Sequence, residues 1–422
     1  MNAKTSRPVD CVIAGAGPAG LTAALCLAEH GVTVHIVGPR PPAASHSDGR
    51  TAAVFQDGIG LFQHLDAWPH MATHAAPLSA IRMVDMSQRL LRAPQVLFEA
   101  QETGVEAFGY NIPNTAIVAG LALAAEQCAQ IVWHDTTILG CDVAEHAVTM
   151  TCADGQQIVA RVVIAADGRR SLVRDAAGLP VRTWDYDQVA LTSQFAHAAP
   201  HNDVSTELHF EAGPCTSVPL PGNRSSLVWM ERPHVALRLL AHDACDFDRV
   251  LALRFADFLG PLTDISAPHA VTLRGLIAHR FGDRRVLLVG EAAHAFPPIG
   301  AQGLNLGLRD AAEAAGCVLD ALERNSDPGH ANVTRTYHRR RWADITGRST
   351  VVNSLNQSLT GDNPLLPLVR GAGLHIVKAS SALRRNLIRQ GMTGLGRRPR
   401  LMPEGMKSVE HGARLAPNLT FA

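Results

Sequence analysis

Gly15-Ala16-Gly17-Pro18-Ala19-Gly20 sets three glycines at the spacing a phosphate cradle needs. The run follows an apolar strand predicted over residues 9–14. It opens a helix predicted over 18–30 and closed by Gly31. Gly15 permits the tight turn, Gly17 lets the backbone approach a pyrophosphate, and Gly20 lets helix and strand pack closely. Pro18 and Ala19 begin the helix, whose free amides and dipole favour phosphate charge. A β-branched strand predicted over 32–37 completes a βαβ unit, the context that separates a dinucleotide site from a chance turn. The carboxylate that ordinarily takes the adenosine ribose is missing. Its position holds Gly38, followed by Pro39 and Arg40, so backbone, water or another side chain must do that work.

A second motif, Ala166-Asp167-Gly168-Arg169-Arg170-Ser171, follows a predicted strand over 162–166 and enters a helix. Asp167 can cap that helix or hold a cofactor, and Arg170 and Arg174 can pair with carboxylates or phosphate. The third motif runs from Gly290 and Glu291 through His294, Pro298 and Gly300 to Gly303, Leu304 and Asn305, then on to Arg309-Asp310. A strand over 286–289 delivers Glu291, whose carboxylate can accept from sugar-chain hydroxyls. The glycine loop then starts a helix whose amides can face the edge of a flavin, where negative charge gathers on reduction.

These three motifs, in this order and spacing, resemble the para-hydroxybenzoate-hydroxylase-like flavoprotein monooxygenases. Within that class the chain looks most like the ubiquinone-biosynthesis hydroxylase (UbiH/VisC) family. Further support comes from Asp48-Gly49-Arg50, from Phe210, Gly213-Pro214, Pro219-Leu220-Pro221 and Leu227-Val228-Trp229, and from the run Pro298 to Gly307. The likeness covers roughly residues 9 to 395. It implies an α/β fold: a Rossmann-like FAD-binding domain, an inserted mostly antiparallel β substrate domain, and C-terminal helices. It implies that Gly15, Gly17, Pro18, Ala19 and Gly20 hold the FAD pyrophosphate and that Arg50 lies close to flavin and pyrophosphate. Asp167 and Gly168 would serve both FAD and NAD(P)H. Gly290 and Glu291 would meet the ribityl chain, although the class usually has aspartate there. Gly303, Leu304 and Asn305 would contact the isoalloxazine edge, and Pro298 and Gly300 would also bind the cofactor. Thr115 departs from the longer polar residue often found near the ribityl chain.

The resemblance further implies hydroxylation of an aromatic ring through a flavin C4a-hydroperoxide, with molecular oxygen as co-substrate and NAD(P)H or an electron-transfer protein as reductant. The substrate it implies is a prenylated phenol or quinol of ubiquinone biosynthesis. Alternatives are a small soluble phenol, or a weakly active flavin-bearing scaffold subunit of a biosynthetic complex. Contacts with other ubiquinone-biosynthesis proteins and a peripheral position at the inner face of a membrane fit the same picture. The substrate-binding lobe, Phe210 to Trp229 included, is expected to cover the flavin. Tyr110, His209 and His294 are candidates by type for a substrate-activating base; each reads more simply as a packed or capping side chain.

The elements that must position these motifs form discontinuous lobes. Residues 1–75, 100–180 and 275–345 make the FAD-binding domain, and 76–99 with 181–274 the substrate-binding domain. Residues 346–396 make a C-terminal helical region, and 397–422 a loose tail. Short strands are predicted over 81–84 and 95–98, a helix over 115–127, and a meander over 189–195, 206–210, 215–218 and 226–230. A helix over 247–259 and helical periodicity from 305 to 345 and over 364–395 complete the pattern.

With 422 residues, 46% hydrophobic and 18% charged, the chain suits two or three compact lobes. Its 38 basic and 38 acidic residues leave no global field for nucleic acid. Eight scattered cysteines without a CxxC read as reduced thiols in a cytoplasmic protein. No secretion signal and no spanning apolar run are apparent. His70 and His74 lack a third ligand, so no metal site is expected. HExxH and GxSxG are absent. The triplet Arg339-Arg340-Arg341 reads as a solvated helix face. The basic, apolar stretch 365–395 reads as a helix packed on the flavin lobe, or as a face for anionic lipid.

Overall fold

The computed structural model describes residues 8–41, 49–87, 93–241, 244–298, 300–360, 375–392, 394 and 396–403. Two large sheets and one small one organise the chain. In the first, Val9–Ala14 lies parallel between Gln157–Ala165 and Val34–Val37. Val286–Leu288 extends it beyond Gln157–Ala165, and Ile131–His134 beyond Val34–Val37. Residues 11–14, 162–165 and 286–288 are wholly buried, as parallel strands covered on both faces must be. Pro18–Ala28, Asn114–Glu126 and Gln302–Glu323 pack together with this sheet in one core. Three strands thus end in the three motifs, side by side at the carboxyl edge where open α/β sheets bind ligands.

Ile131–His134, Ile138–Val143 and Val148–Cys152 were not evident in the sequence. All three are short: Ile131–Trp133 is an apolar run of only three residues, Ile138–Val143 is mostly exposed or half-exposed and irregular in pattern, and Val148–Cys152 alternates apolar and polar over only five. The last two form a hairpin against Gln157–Ala165.

The second sheet runs in the order His294–Ala295, His269–Ala278, Val181–His197, Arg224–Glu231, Gly213–Leu220, Val204–Phe210, Ala80–Asp85, Val96–Glu99. Neighbours are antiparallel except Val204–Phe210 and Ala80–Asp85, which are parallel. The strand expected from 189 begins at Val181, with an irregularity between Asp185 and Val189. Leu191, Leu208, Cys215, Leu227 and Trp229 project from one face onto Phe247, Leu251 and Phe255 of the helix Ala244–Leu259. A three-stranded sheet, Thr51–Phe55, Gly109–Pro113 and Ala76–Pro77, bridges the lobes.

The C-terminal region departs from expectation in three ways. The helix expected to stop near 345 runs from Ala331 to Thr360. Of the basic stretch, Ser381–Met392 is helical and 361–374 lies outside the described residues. The tail expected to be loose from Arg397 is packed through residue 403: Arg398 pairs with Asp57 at 2.8 Å, Arg400 with Glu323 at 2.7 Å, and Met402 is 5% exposed. Side-chain anchoring, invisible to periodicity, holds this segment. Among the described residues seven cysteines are free thiols. Burial pushes Cys26 and Cys317 up to about 12 and Cys215 up to about 11, as inert packed thiols require.

Candidate active site

The glycines of the first motif divide into packed and open positions. Gly15 has φ +103°, and a Cβ there would come 2.5 Å from the Ala166 carbonyl oxygen. A Cβ on Gly20 would come 2.1 Å from the Gly15 oxygen. These two glycines let helix, turn and the neighbouring strand end touch. A Cβ on Gly17 would meet nothing within 4 Å. Gly17 is also the N-cap of Pro18–Ala28, and no side chain caps that helix. An open backbone and uncapped amides together fit a pyrophosphate. Gly290, at φ +57°, rests on Ala19, and Gly307 of the next helix rests on Gly290. All three motifs therefore meet within van der Waals contact.

Asp167 caps its helix by accepting from the Val173 amide at 3.2 Å. Its other oxygen, Oδ1, is buried without a partner among the described residues, an orphaned acceptor that a hydroxyl would satisfy. Burial raises this carboxyl above its ordinary range, against hydrogen bonds from Ser171 and Val173. Gly168 follows at φ +82°. Arg174 is buried and donates to the carbonyls of Arg169 at 3.0 Å and Ala292 at 3.2 Å, tying the second motif to the third. Arg170 is exposed. Glu291 lies at the surface and accepts from Arg169 at 2.9 Å.

The buried anchor of the third motif is Asp310. Its Oδ2 accepts from the Gly290 amide at 3.2 Å and lies 2.5 Å from His294 Nε2; its Oδ1 accepts from Arg341 at 2.7 Å. Arg341 continues to Asp344, which also takes Arg309 and Arg348. The expectation that Arg339-Arg340-Arg341 is a solvated face is corrected here: Arg341 is 0% exposed. Consecutive helical residues sit about 100° apart, so three in a row cannot share one face. No sequence signal gave Asp310 this role beyond its place at the end of the motif.

Pro298 and Gly300 are exposed, and the helix Gln302–Glu323 starts from a left-handed Ala301 without a side-chain cap. Gly303 is open, with nothing within 4 Å of a Cβ, and Leu304 is half-buried beside it. Asn305 does not present its side chain to a ligand. It donates to the Ala53 and Ala301 carbonyls, both at 2.7 Å, and accepts from the Phe55 amide at 2.8 Å. It thereby fixes Thr51–Phe55, the strand that follows Arg50, against the loop. Arg50 is exposed, and its carbonyl accepts from Asn114 at 3.1 Å.

The antiparallel sheet meets the small three-stranded sheet through the face opposite its helices. Ser226 contacts Thr51 Oγ1 at 2.8 Å and accepts from Asn111 Nδ2 at 3.2 Å. By pleat, Thr216, Val218 and Val228 share that face. Of the stretch Phe210 to Trp229, the two end residues point the other way. Both face the helical layer, where the Arg254 guanidinium lies 4.0 Å from one ring centroid and 3.9 Å from the other. Ser381–Met392 packs on the protein through Ile388 against Ala100 and Phe108. His209 pairs with Glu207 at 3.2 Å, Tyr110 packs edge-on to Trp68, and His294 belongs to the buried network.

A family profile described as the FAD binding domain matches residues 8–346, taking in all three motifs. The chain belongs to the FAD-dependent monooxygenases. The enzyme is 32% identical over 390 residues to ubiquinone hydroxylase UbiL of Rhodospirillum rubrum, covering 92% of this chain and 90% of that protein. It is 26% identical to the 3-demethoxyubiquinol 3-hydroxylase of Escherichia coli, covering 92% and 99%. Among solved structures, p-nitrophenol 4-monooxygenase PnpA from Pseudomonas putida superposes with a TM-score of 0.74 at 18% identity, covering 92% and 99%. That likeness shows the fold: a parallel dinucleotide sheet, an antiparallel sheet and C-terminal helices. Among the described residues no helix is long and apolar enough to cross a membrane.

Proposed function

We propose that the enzyme hydroxylates the ring of a prenylated phenol or quinol on the route to ubiquinone. The carrying observation is the meeting of the glycine turn Gly15–Gly20, Asp167 and the Gly290 end of the third motif at one edge of the parallel sheet, in a chain whose relatives along nearly their whole length include ubiquinone hydroxylases. Gly15, Gly17, Pro18, Ala19 and Gly20 would hold the FAD pyrophosphate, with Arg50, Asp167, Gly168, Gly290 and Glu291 along its chain. Pro298, Gly300, Gly303 and Leu304 would border its ring, with Asn305 fixing their loop. When bound, FAD supplies the activation of molecular oxygen and the transfer of one oxygen atom to an electron-rich ring, after reduction by NAD(P)H or an electron-transfer protein.

The protein's own part is position and dryness. The uncapped start of Gln302–Glu323 favours negative charge at the ring edge. The sheet face bearing Thr216, Val218 and Val228 covers the crevice and keeps water from the reacting centre. A prenyl tail needs an apolar route and a lipid source. Ser381–Met392 with residues 375–379 carries exposed Ile376, Leu387, Lys378, Arg385 and Arg389, a composition suited to an anionic membrane surface.

Mass spectrometry of quinone intermediates in cells lacking the enzyme tests this. An accumulated prenylated ring short of one oxygen, converted by purified enzyme with uptake of labelled oxygen, is the expected result. An intact quinone pool, with turnover only of small soluble phenols, would refute the substrate class. No hydroxylated product from any phenol would point to a scaffold role.

A further inference from the structure

The second strand ends without the carboxylate that ordinarily takes an adenosine ribose. Gly38 occupies that place, and a Cβ there would lie 2.8 Å from the Ala16 amide nitrogen of the glycine loop. The neighbouring parallel strand, Ile131–His134, holds this strand end from the side. Gly38 donates its amide to the His134 carbonyl at 3.2 Å, and Trp133 Nε1 donates to the Gly38 carbonyl at 3.0 Å. One residue past that neighbouring strand stands Asp135. The Arg40 amide donates to its Oδ1 at 2.9 Å, and the Arg40 guanidinium lies 3.9 Å from its Oδ2. The same guanidinium stacks 4.7 Å from the Trp133 ring centroid and pairs with Glu126.

We infer that Asp135 is the ribose-binding carboxylate of this enzyme, supplied by the adjacent strand in place of the missing acid at Gly38. The inference rests on the FAD reading of the crevice. Both strand ends lie at the carboxyl edge of the sheet, that of Gly38 beside the glycine loop and that of Asp135 one strand further out, on the side where the adenosine half of a dinucleotide sits. A carboxylate has about four acceptor sites, and the Arg40 backbone takes one of them, so Asp135 is fixed yet retains acceptors for hydroxyls. It is also 56% exposed, within reach of a ligand. Glu126, by contrast, ends a helix and is engaged by the Arg40 guanidinium. Arg40 is then a positioning residue, clamped on Trp133 to aim Asp135.

The test is a ligand–protein double-mutant cycle on apoprotein, read as flavin fluorescence during titration with FAD and with FAD carrying a 2′-deoxyadenosine. Wild-type protein should lose about tenfold in affinity when the hydroxyl is removed from the ligand, the size of one hydrogen bond to a charged group. D135N, nearly isosteric, should lose about tenfold toward FAD and nothing further toward the deoxy ligand. FAD affinity of D135N within twofold of wild type overturns the assignment. So do losses from protein and ligand that simply multiply. Wild-type protein that takes up no FAD at all refutes the cofactor reading instead, so the two failures are distinguishable.

Discussion

His294 Nε2 lies 2.5 Å from Asp310 Oδ2, with both side chains closed off from solvent. The same carboxylate accepts from the Gly290 amide and from Arg341. One buried charge thus joins the start of the third motif to the two long helices behind it. Asp310→Ala should destabilise the protein by about 3–5 kcal/mol, because it leaves three buried guanidinium groups to share Asp344 and strips the Gly290 amide and His294 of their acceptor. Urea unfolding of apoprotein checks this, and a loss below 1 kcal/mol would contradict the role.

Acid should cost the folded state stability through this network. For Asp310 and Asp344, burial works against ionisation, but the Arg341 charge, helped by His294 and Arg309 respectively, more than offsets it. Both carboxyls are held below their ordinary range. A folded-state value below the unfolded one means stability is fully present above the unfolded value, about 3.9, and is lost as pH falls toward the folded one. Unfolding free energy should therefore drop from about pH 5 downward. Asp344→Asn should flatten that slope. An unchanged slope in the variant would place the acid sensitivity elsewhere.

Gly17 and Gly20 should respond oppositely to alanine. Gly20→Ala drives a Cβ to 2.1 Å from the Gly15 oxygen and should lower apoprotein melting temperature sharply. Gly17→Ala meets open space, so apoprotein stability should hold within about 1 kcal/mol, the span of glycine effects. Its FAD affinity should fall at least about tenfold, because the methyl occupies the approach to the pyrophosphate. Paired melting curves and FAD titrations separate the two, and equal FAD affinity in Gly17→Ala would argue against the cradle.

Asn305→Ala should cost about 1–3 kcal/mol for each backbone group it leaves unpaired. The three at stake are the Ala53 and Ala301 carbonyls and the Phe55 amide. Asn305→Asp should fail similarly, since a carboxylate cannot donate to the carbonyls. Thermal melts of both variants check this, and a well-folded N305D would mean the network tolerates rearrangement.

Much of the nucleotide lobe was legible in the residues. The strand Val9–Ala14 and its glycine turn carry local signals: continuous apolarity, then glycines where backbone must cross φ > 0 or touch backbone. The meander in the second lobe showed through turn residues between β-branched runs. The hairpin over residues 138–152 stayed hidden because Ile138–Val143 is weakly patterned, and the alternation of Val148–Cys152 spans only five residues. The partner of each buried charge was likewise out of reach. Arg341 and Asp310 are 31 residues apart, and nothing local marks one for the other.

The sequence alone determined the chemistry on offer: where chain would turn tightly, which amides would be free for phosphate, and which cofactor class those turns suit. Such features depend on neighbours a few residues away, so one-dimensional reading suffices. Tertiary structure decided which side chains face the crevice and which are spent on holding it. It turned Trp229 to the helical layer, committed Asn305 to the backbone of a distant strand, and set Asp135 beside Gly38. Those outcomes follow from pleat, register and strand order, which place residues far apart in the chain within hydrogen-bond reach.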